Sequence, residues 1–184
     1  YANQLAQGRY ILSLDADEVV SPALRASLLA EKGRWRAQAY EVLRVAVYCG
    51  VFIRVSDWYP DWKVRLFAKG IAEWDNKPVH ERLHVRAKPI RLEGELWHYT
   101  YATVEEHMQR NMCYARLAAQ VLYEAGVRVR WSRPFLRGGA RFLKSLILRG
   151  GWKAGWRGWS IALIGASNYF WQEIFLAEYW GKKH

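Results

Sequence analysis

The stretch Ile11-Leu12-Ser13-Leu14-Asp15-Ala16-Asp17-Glu18 decides the fold class of this chain, because an apolar run leads directly into three carboxylates. Branched apolar side chains over four residues predict a short strand inside a covered sheet. Asp15 and Asp17 follow this strand, and ligands of open α/β sheets bind beyond the carboxyl ends of strands. The sequence therefore predicts an α/β fold with a candidate site at this strand end.

The acids Asp15 and Asp17 suit a hard divalent cation. Mg²⁺ and Mn²⁺ prefer oxygen ligands and often share them with a phosphate group. The same spacing also fits an acidic turn before a helix, because acids favour a helix N-terminus and Ser21-Pro22 is a typical helix start. On these residues alone, a metal site and a structural turn are both open.

The composition points to an anionic partner. The 184 residues have a net charge of +11 and include 11 Trp and 11 Tyr. Basic charge with amphipathic aromatic residues favours a membrane surface, a nucleic acid or a phosphorylated substrate. Two cysteines are too few for a disulfide framework or a zinc site, which favours a reducing compartment.

Local signals predict the order of helices and strands. A helix should run from Pro22 to about Lys32, and a second should begin at the capping box Thr103–Glu106 and end near Ala125. The chain before Gly8 resembles the end of a helix, so we expect an N-terminal part to be missing. Runs of β-branched and aromatic residues predict further strands at 39–52, 64–67, 81–85 and 96–101.

The composition changes after residue 126, which predicts two domains, 1–126 and 127–184. The segment from Arg128 to Gln172 contains nine Lys or Arg residues, no acid and five Trp. An amphipathic, basic, Trp-rich helix is typical of proteins that lie in the interface of an anionic leaflet. The alternative is a helix pair that packs on the core with a solvated basic face. The candidate membrane-associating residues are Arg137, Arg141, Lys144, Trp152 and Trp156.

Two histidine-containing stretches are further candidates for chemistry. In Val79-His80-Glu81, Glu81 suits a general base that accepts a proton from a hydroxyl, and His80 suits a metal ligand or an acceptor contact. His98 lies among aromatic residues on a predicted strand. Each histidine also fits an ordinary structural role, either at the surface or in the core.

Taken in order, four motifs resemble those of family 2 glycosyltransferases with the GT-A fold, and most closely the lipopolysaccharide-core, β-1,4-glucosyltransferase-like group. The motifs are ILSLDADE (11–18), WYPDWKVRLF (58–67), VHE (79–81) and HYTY (98–101). The resemblance covers nearly the whole chain. It implies a Rossmann-like nucleotide-diphospho-sugar transferase sheet that lacks its N-terminal strand–helix units, followed by a C-terminal helical region. The strand at Ile11–Leu14 should then lack neighbours on one side.

The resemblance also implies roles for single residues. Asp17 would bind Mg²⁺ or Mn²⁺ directly, Asp15 would face the ribose or the metal shell, and His98 would be a further ligand with His80 in reserve. Glu81 would be the catalytic base, with Asp61 as a weaker candidate. The candidates for donor or acceptor contacts are Arg65, Trp62 and His80.

The implied function is an inverting, metal-dependent transfer of a sugar from a nucleotide-sugar to a lipid-linked or lipopolysaccharide-core saccharide. We expect a cytoplasmic enzyme, peripheral to the inner face of the plasma (inner) membrane, with no nucleic-acid partner. One alternative is a non-catalytic peripheral membrane or nucleic-acid-binding module. Another is a family 2 transferase that acts on polypeptide, capsular or teichoic acid acceptors.

Overall fold

The computed structural model describes residues 5–74 and 83–182, which form a mixed α/β structure. The chain divides into two compact units, which are described separately below. They are Tyr1–Val47 with Pro60–Thr100, and Tyr48–Tyr59 with Tyr101–His184.

Eight strands are described. They are β1 (Tyr10–Leu12), β2 (Glu18–Val20), β3 (Ala39–Tyr48), β4 (Val51–Ile53), β5 (Asp61–Ala68), β6 (Ala72–Trp74), β7 (Leu83–Val85) and β8 (Ile90–Tyr101). The main sheet of the first unit has the strand order β1-β5-β3-β8-β2, and β6 pairs with β7. The pairs β1–β5, β3–β5 and β2–β8 are antiparallel.

The strand expected at Ile11–Leu14 is present, but it is shorter and less covered than predicted. Strand β1 lies at one end of the sheet order, as expected for a strand with one paired edge. Its pairing with β5 ends at Leu12, and both Leu12 and Leu14 are exposed. The expectation of a covered strand was therefore wrong, because an edge strand shields its apolar side chains incompletely.

The helices and shorter helical turns follow the same chain order. They are α1 (Pro22–Glu31), η1 (Ser56–Trp58), α2 (Val104–Glu124), π1 (Pro134–Gly138), α3 (Gly139–Leu143), π2 (Lys144–Leu148), η2 (Gly151–Ala154) and α4 (Trp156–Gly181). Here η marks 3₁₀ turns and π marks π-helical turns. None of the helices in the described ranges combines the length and apolar character that crossing a membrane requires.

Helix α1 begins and ends as its local sequence predicts. The Ser21 hydroxyl accepts a hydrogen bond from the Leu24 backbone N–H at 3.2 Å, which satisfies a free donor of the first turn. The same hydroxyl accepts from the Glu95 N–H at 3.1 Å, so the cap also ties the helix to β8. Leu24 then enters the core of the first unit, which also contains Tyr40, Val42, Leu66, Leu92 and Leu96.

In the second unit, α2 packs against α4. Ala115 and Ala119 of α2 are fully buried beside Phe175 and Leu176 of α4, because small side chains allow two helices to approach closely. The predicted capping box is confirmed, since the Thr103 hydroxyl accepts from the Glu106 N–H at 3.1 Å. The helices of this unit therefore have their own core.

Gly94 allows β8 to pass close to the start of α1, which gives a test of the packing in the first unit. A Cβ at Gly94 would lie 2.2 Å from the Leu24 backbone nitrogen, and the φ of Gly94 is +95°. We expect Gly94→Ala to lower the free energy of unfolding by at least about 3 kcal/mol, because strain adds to a backbone clash. Urea denaturation of the purified chain measures this change.

The matched control is Gly33→Ala. Gly33 has a φ of +94° but open space around its Cβ position, so only conformational strain of about 1–2 kcal/mol is expected. Equal losses at the two glycines would show that the contact with α1 contributes nothing.

Candidate functional site

The candidate site in the first unit is built around a buried carboxylate. Glu18 is the first residue of β2, and its side chain is fully buried. Its Oε1 accepts a hydrogen bond from Arg65 Nη2 and lies 3.5 Å from Arg44 Nη1. A buried charge must be paired and hydrogen-bonded, so these two arginines are required where Glu18 enters the sheet.

The acidic turn before β2 is closed by reciprocal hydrogen bonds. The Glu18 backbone N–H donates to the Asp15 carbonyl oxygen, and the Asp15 N–H donates to Glu18 Oε2, both at 3.1 Å. The Asp15 carboxylate in turn accepts a hydrogen bond from Arg65 Nη2. Arg65 lies 50 residues later in the chain on β5, so the turn is fixed by tertiary contacts as well as local ones.

Strand pairing brings Asp17 and His98 together. In the β2–β8 register Glu18 faces His98, and the Tyr99 N–H donates to the Asp17 carbonyl oxygen at 2.9 Å. Asp17 Oδ2 consequently lies 3.2 Å from His98 Nε2. The carboxylate is half exposed, and the imidazole is mostly buried.

A hydroxyl behind the imidazole supports its second nitrogen. Thr100 Oγ1 lies 3.1 Å from His98 Nδ1 and donates to the His98 carbonyl oxygen at 3.2 Å. The geometry fits both neutral tautomers: with the proton on Nε2 the ring donates to Asp17, and with the proton on Nδ1 it donates to the Thr100 hydroxyl and leaves the Nε2 lone pair for a cation. This is the arrangement of metal-binding histidines, whose far nitrogen is oriented by a second hydrogen bond.

The electrostatics keep the imidazole neutral. Burial lowers the pKa of His98 below its ordinary value, and the charge of Arg44 lowers it further, which outweighs the opposite effect of Asp17 and Glu18. A neutral imidazole is the form that binds metal ions.

The donor set fits a divalent cation that shares its ligands with a phosphate, but it does not form a closed metal site. Within 5–74 and 83–182, no group of three or more His, Cys, Asp or Glu residues is arranged to hold a metal ion. Asp17 and His98 would supply two ligands, while Asp15 is bound to Arg65. Mg²⁺ sites often consist of one or two carboxylates completed by water and substrate phosphates, which is compatible with this pair.

Asp61 lies near the site and forms ion pairs with Arg44 and Lys63. The Asp61 carboxylate accepts from Arg44 Nε at 2.8 Å and lies 3.1 Å from Lys63 Nζ. Both of its oxygens thus face cations, an arrangement typical of a structural ion pair. Three carboxylates (Asp15, Glu18, Asp61) pair with three cations (Arg44, Lys63, Arg65), so the negative charge of Asp17, which lies beside His98, is in excess.

Of the other residues predicted from the sequence, the structure describes the surroundings of Arg65 and Trp62 but not those of His80 and Glu81. Arg65 is buried, and within the described part of the chain its Nε has no hydrogen-bond partner. Trp62 is half-buried, with the Arg91 guanidinium 4.3 Å above its ring. His80 and Glu81 lie outside the described residues, so their predicted roles stay predictions.

An aromatic cluster in the second unit contains a histidine that sequence reasoning missed. The His107 ring stacks on Tyr101 at 4.5 Å between centroids, and His107 Nδ1 lies 3.2 Å from the Tyr48 hydroxyl. Trp58 packs 5.4 Å from the same ring. Burial lowers the pKa of His107 to about 4 and raises the pKa of Tyr48 to about 12, so both groups are neutral near pH 7 and share one hydrogen bond between Nδ1 and the hydroxyl.

The predicted membrane-associating residues fall into two groups. Arg137, Lys144, Trp152 and Trp156 are exposed. Arg141 instead donates from Nε to Asp57 at 3.2 Å and crosses α4 at Gly165, where a Cβ would lie 3.1 Å from its guanidinium. Arg141 therefore attaches α3 to the rest of its own unit.

Several apolar side chains of this basic segment are exposed, which the alternative of a helix pair packed on the core does not predict. Ser145 and Leu146 are buried, whereas the opposite side of the segment presents large apolar residues to solvent. These exposed residues are Phe135, Leu136, Leu143, Ile147 and Leu148. The contacts of Arg141 and Ser145 with Asp57 explain this orientation, because they turn the polar side of the segment inward.

No protein-family model matches this chain.

The first prediction from this site concerns the buried Glu18 carboxylate. Arg65→Met removes its closest cation, so we expect the free energy of unfolding to fall by about 3–5 kcal/mol, the usual cost of an unpaired buried charge. Lys63→Met is the control, because the partly exposed Lys63–Asp61 pair should contribute at most about 1 kcal/mol. Chemical denaturation of both variants measures the difference, and similar losses would contradict the proposed role of Arg65.

The second prediction concerns His107 and pH. Its folded pKa of about 4 lies below the ordinary value of 6.5, so the unfolded chain binds the proton first. Stability from this group is complete above pH 6.5 and is lost as the pH falls toward 4, by up to about 1.4 kcal/mol per pH unit. The double variant Tyr48→Phe/His107→Phe removes the titrating imidazole together with its hydrogen-bond partner, the Tyr48 hydroxyl. The stability of this variant should therefore fall less steeply over this pH range.

Denaturation midpoints measured across that pH range provide the comparison. His84→Gln is the control, because this histidine is exposed and its removal should leave the steep acid loss intact. A double variant as acid-sensitive as the unmodified chain would exclude His107 as the responsible group.

Proposed function

We propose that this chain is the metal-dependent catalytic part of an inverting glycosyltransferase. The reaction would move a sugar from a nucleotide-sugar to a lipid-linked or lipopolysaccharide-core saccharide. The observation that supports this most directly is the Asp17–His98 pair, with Nε2 3.2 Å from Oδ2 and Thr100 behind the imidazole. The excess of carboxylates around this pair, in a chain with a net charge of +11, favours a bound cation.

In the proposed reaction, the residues of the first unit bind and orient the donor. Asp17 and His98 would hold Mg²⁺ or Mn²⁺, which acts as a Lewis acid toward a diphosphate. Arg65 and Arg44 fix the Glu18 carboxylate and thereby the turn that presents Asp17. Asp15 accepts a hydrogen bond from Arg65 and would face the ribose or the metal shell.

The chemistry is a single displacement. A hydroxyl oxygen of the acceptor forms a bond to the anomeric carbon, the bond from that carbon to the diphosphate oxygen breaks, and the diphosphate leaves with the bonding electrons. The hydroxyl proton passes to a carboxylate base, for which Glu81 is our candidate. Asp61 is a weaker candidate, because Arg44 and Lys63 already face its oxygens.

The second unit supports a place at the membrane surface. Exposed cations such as Arg137 and Lys144 and exposed aromatics such as Trp152 and Trp156 suit an anionic leaflet, where a lipid-linked acceptor would be found. We propose that the protein is peripheral to the inner face of the plasma (inner) membrane.

Binding of Mn²⁺ in the presence of pyrophosphate tests the proposed metal site. Pyrophosphate reproduces the diphosphate without requiring a nucleobase site. We expect Thr100→Val to weaken Mn²⁺ binding by about tenfold, because Thr100 only orients the His98 ligand. Asp17→Asn should weaken it by at least about tenfold, because Asp17 would bind the metal directly. Isothermal titration calorimetry measures both.

Glu73→Gln is the control, because this exposed carboxylate pairs with Arg86 in the same unit. Its Mn²⁺ affinity should match that of the unmodified chain. If the unmodified chain binds no Mn²⁺ with pyrophosphate, or if Asp17→Asn binds it equally well, the acidic turn is structural and the proposed transfer fails.

A further inference from the structure

A basic cavity in the second unit lies outside the site described above. Its volume is about 460 Å³, and η1, π2 and η2 or the residues beside them surround it. The lining residues are Arg54, Val55, Tyr59, Ile147, Leu148, Arg149, Gly150, Trp152 and Lys153. Three of them are cations and none is an acid, so the cavity suits an anion.

Two of these cations have no carboxylate partner. In the described part of the chain, neither Arg149 nor Lys153 forms an ion pair, and both side chains are exposed. Lys153 makes a cation–π contact with the Trp152 ring, whose centroid lies 5.7 Å from Nζ. Their charges are therefore available to a ligand, and phosphate is the common anion that clusters of Arg and Lys bind.

The rim of the cavity is apolar and faces solvent. Leu148 is 79% exposed, and Ile147 and Trp152 are each 57% exposed. Leu143 and Leu136 of the same segment are also exposed. Large exposed apolar patches of this kind commonly mark sites that bind another protein, a ligand or a membrane. A ligand that satisfies both the cations and this rim needs a phosphate joined to an apolar body.

The backbone around the cavity is held in place by two close contacts. A Cβ at Gly158 would lie 1.8 Å from the Gly151 carbonyl oxygen, and one at Gly151 would lie 2.6 Å from the Ser145 carbonyl oxygen. The Ser56 N–H also donates to the Arg149 carbonyl oxygen at 2.9 Å. The turn that presents Arg149 and Lys153 is thus preformed, which reduces the entropy lost on binding.

We propose that this cavity binds the phosphate headgroup of an anionic lipid, with Ile147, Leu148 and Trp152 in the acyl region. Arg149, Lys153 and Arg54 would surround the phosphate. This inference deepens the membrane part of the proposed function and rests on that part alone. It replaces a diffuse basic surface with a defined site, in which Arg141 has no direct role.

Vesicle flotation tests the site with phosphatidylcholine vesicles that contain or lack phosphatidic acid. We expect the chain to bind the acidic vesicles at least tenfold more tightly, since several cations near an anionic surface add to the attraction. Arg149→Gln/Lys153→Gln should remove most of this preference. The matched control is Arg137→Gln/Lys144→Gln, which removes the same charge from the same segment outside the cavity and should lose several-fold less affinity.

Three results would overturn the proposal. Equal losses in the two double variants would mean that the vesicles are bound by diffuse charge and not by the cavity. Equal binding to both kinds of vesicle would show that the anionic headgroup is not recognised. If glycerol 3-phosphate in solution binds as tightly as the acidic vesicles, and Leu148→Ser/Trp152→Ser binds those vesicles normally, the cavity is a site for soluble phosphates.

The same samples separate this inference from the proposed sugar transfer. Arg149→Gln/Lys153→Gln should keep its thermal transition and its binding of Mn²⁺ with pyrophosphate, because both changed residues are exposed and belong to the second unit. Loss of vesicle binding with unchanged Mn²⁺ binding supports a lipid site distinct from the metal site. Failure of Mn²⁺ binding in the unmodified chain would remove the transfer reaction but leave the vesicle result standing.

Discussion

The buried carboxylate of Glu18 is the constraint on which the first unit depends. A charge with no solvent contact is stable only when its partners are fixed, so Arg65 and Arg44 must come from β5 and β3 to meet it. The hydrogen bonds between Glu18 and Asp15 then close the acidic turn and leave Asp17 beside His98. The geometry of the candidate metal site is therefore a consequence of how one internal charge is neutralised.

The second unit uses two carboxylates, of which only Glu173 is buried, to hold a segment rich in cations. Glu173 is buried on α4 and accepts from the Arg130 N–H at 2.9 Å and from Arg133 Nη1 at 3.1 Å. Asp57 binds Arg141 and Ser145 on the following helical segment. These contacts neutralise a few cations and turn the polar side of the segment inward. Other cations, such as Arg137, Lys144 and Arg149, and the apolar side are left exposed, as the proposed binding to anionic lipid needs.

The sequence predicted most elements with strong local signals. The Ser21-Pro22 start, the Thr103–Glu106 capping box and the glycines after each helix gave α1 and α2 within one or two residues, because caps depend on neighbours in the chain. The predicted length of β8 was too short, because the strand begins at Ile90 and not at residue 96. The side chains of β1 were predicted to be buried, but those of an edge strand are partly exposed. Strand length and cover depend on which strands pair, and local sequence does not contain that information.

The division of roles at the candidate site follows the same rule. The sequence by itself determined that acids follow a short strand, that His98 lies on a later strand and that a basic, Trp-rich segment ends the chain. Only the tertiary structure decided that Asp15 binds Arg65 while Asp17 meets His98, that Arg141 is an internal contact and that Leu148 is exposed. Each of these depends on strand register or helix orientation, which are set by burying charge and apolar surface across many residues of chain.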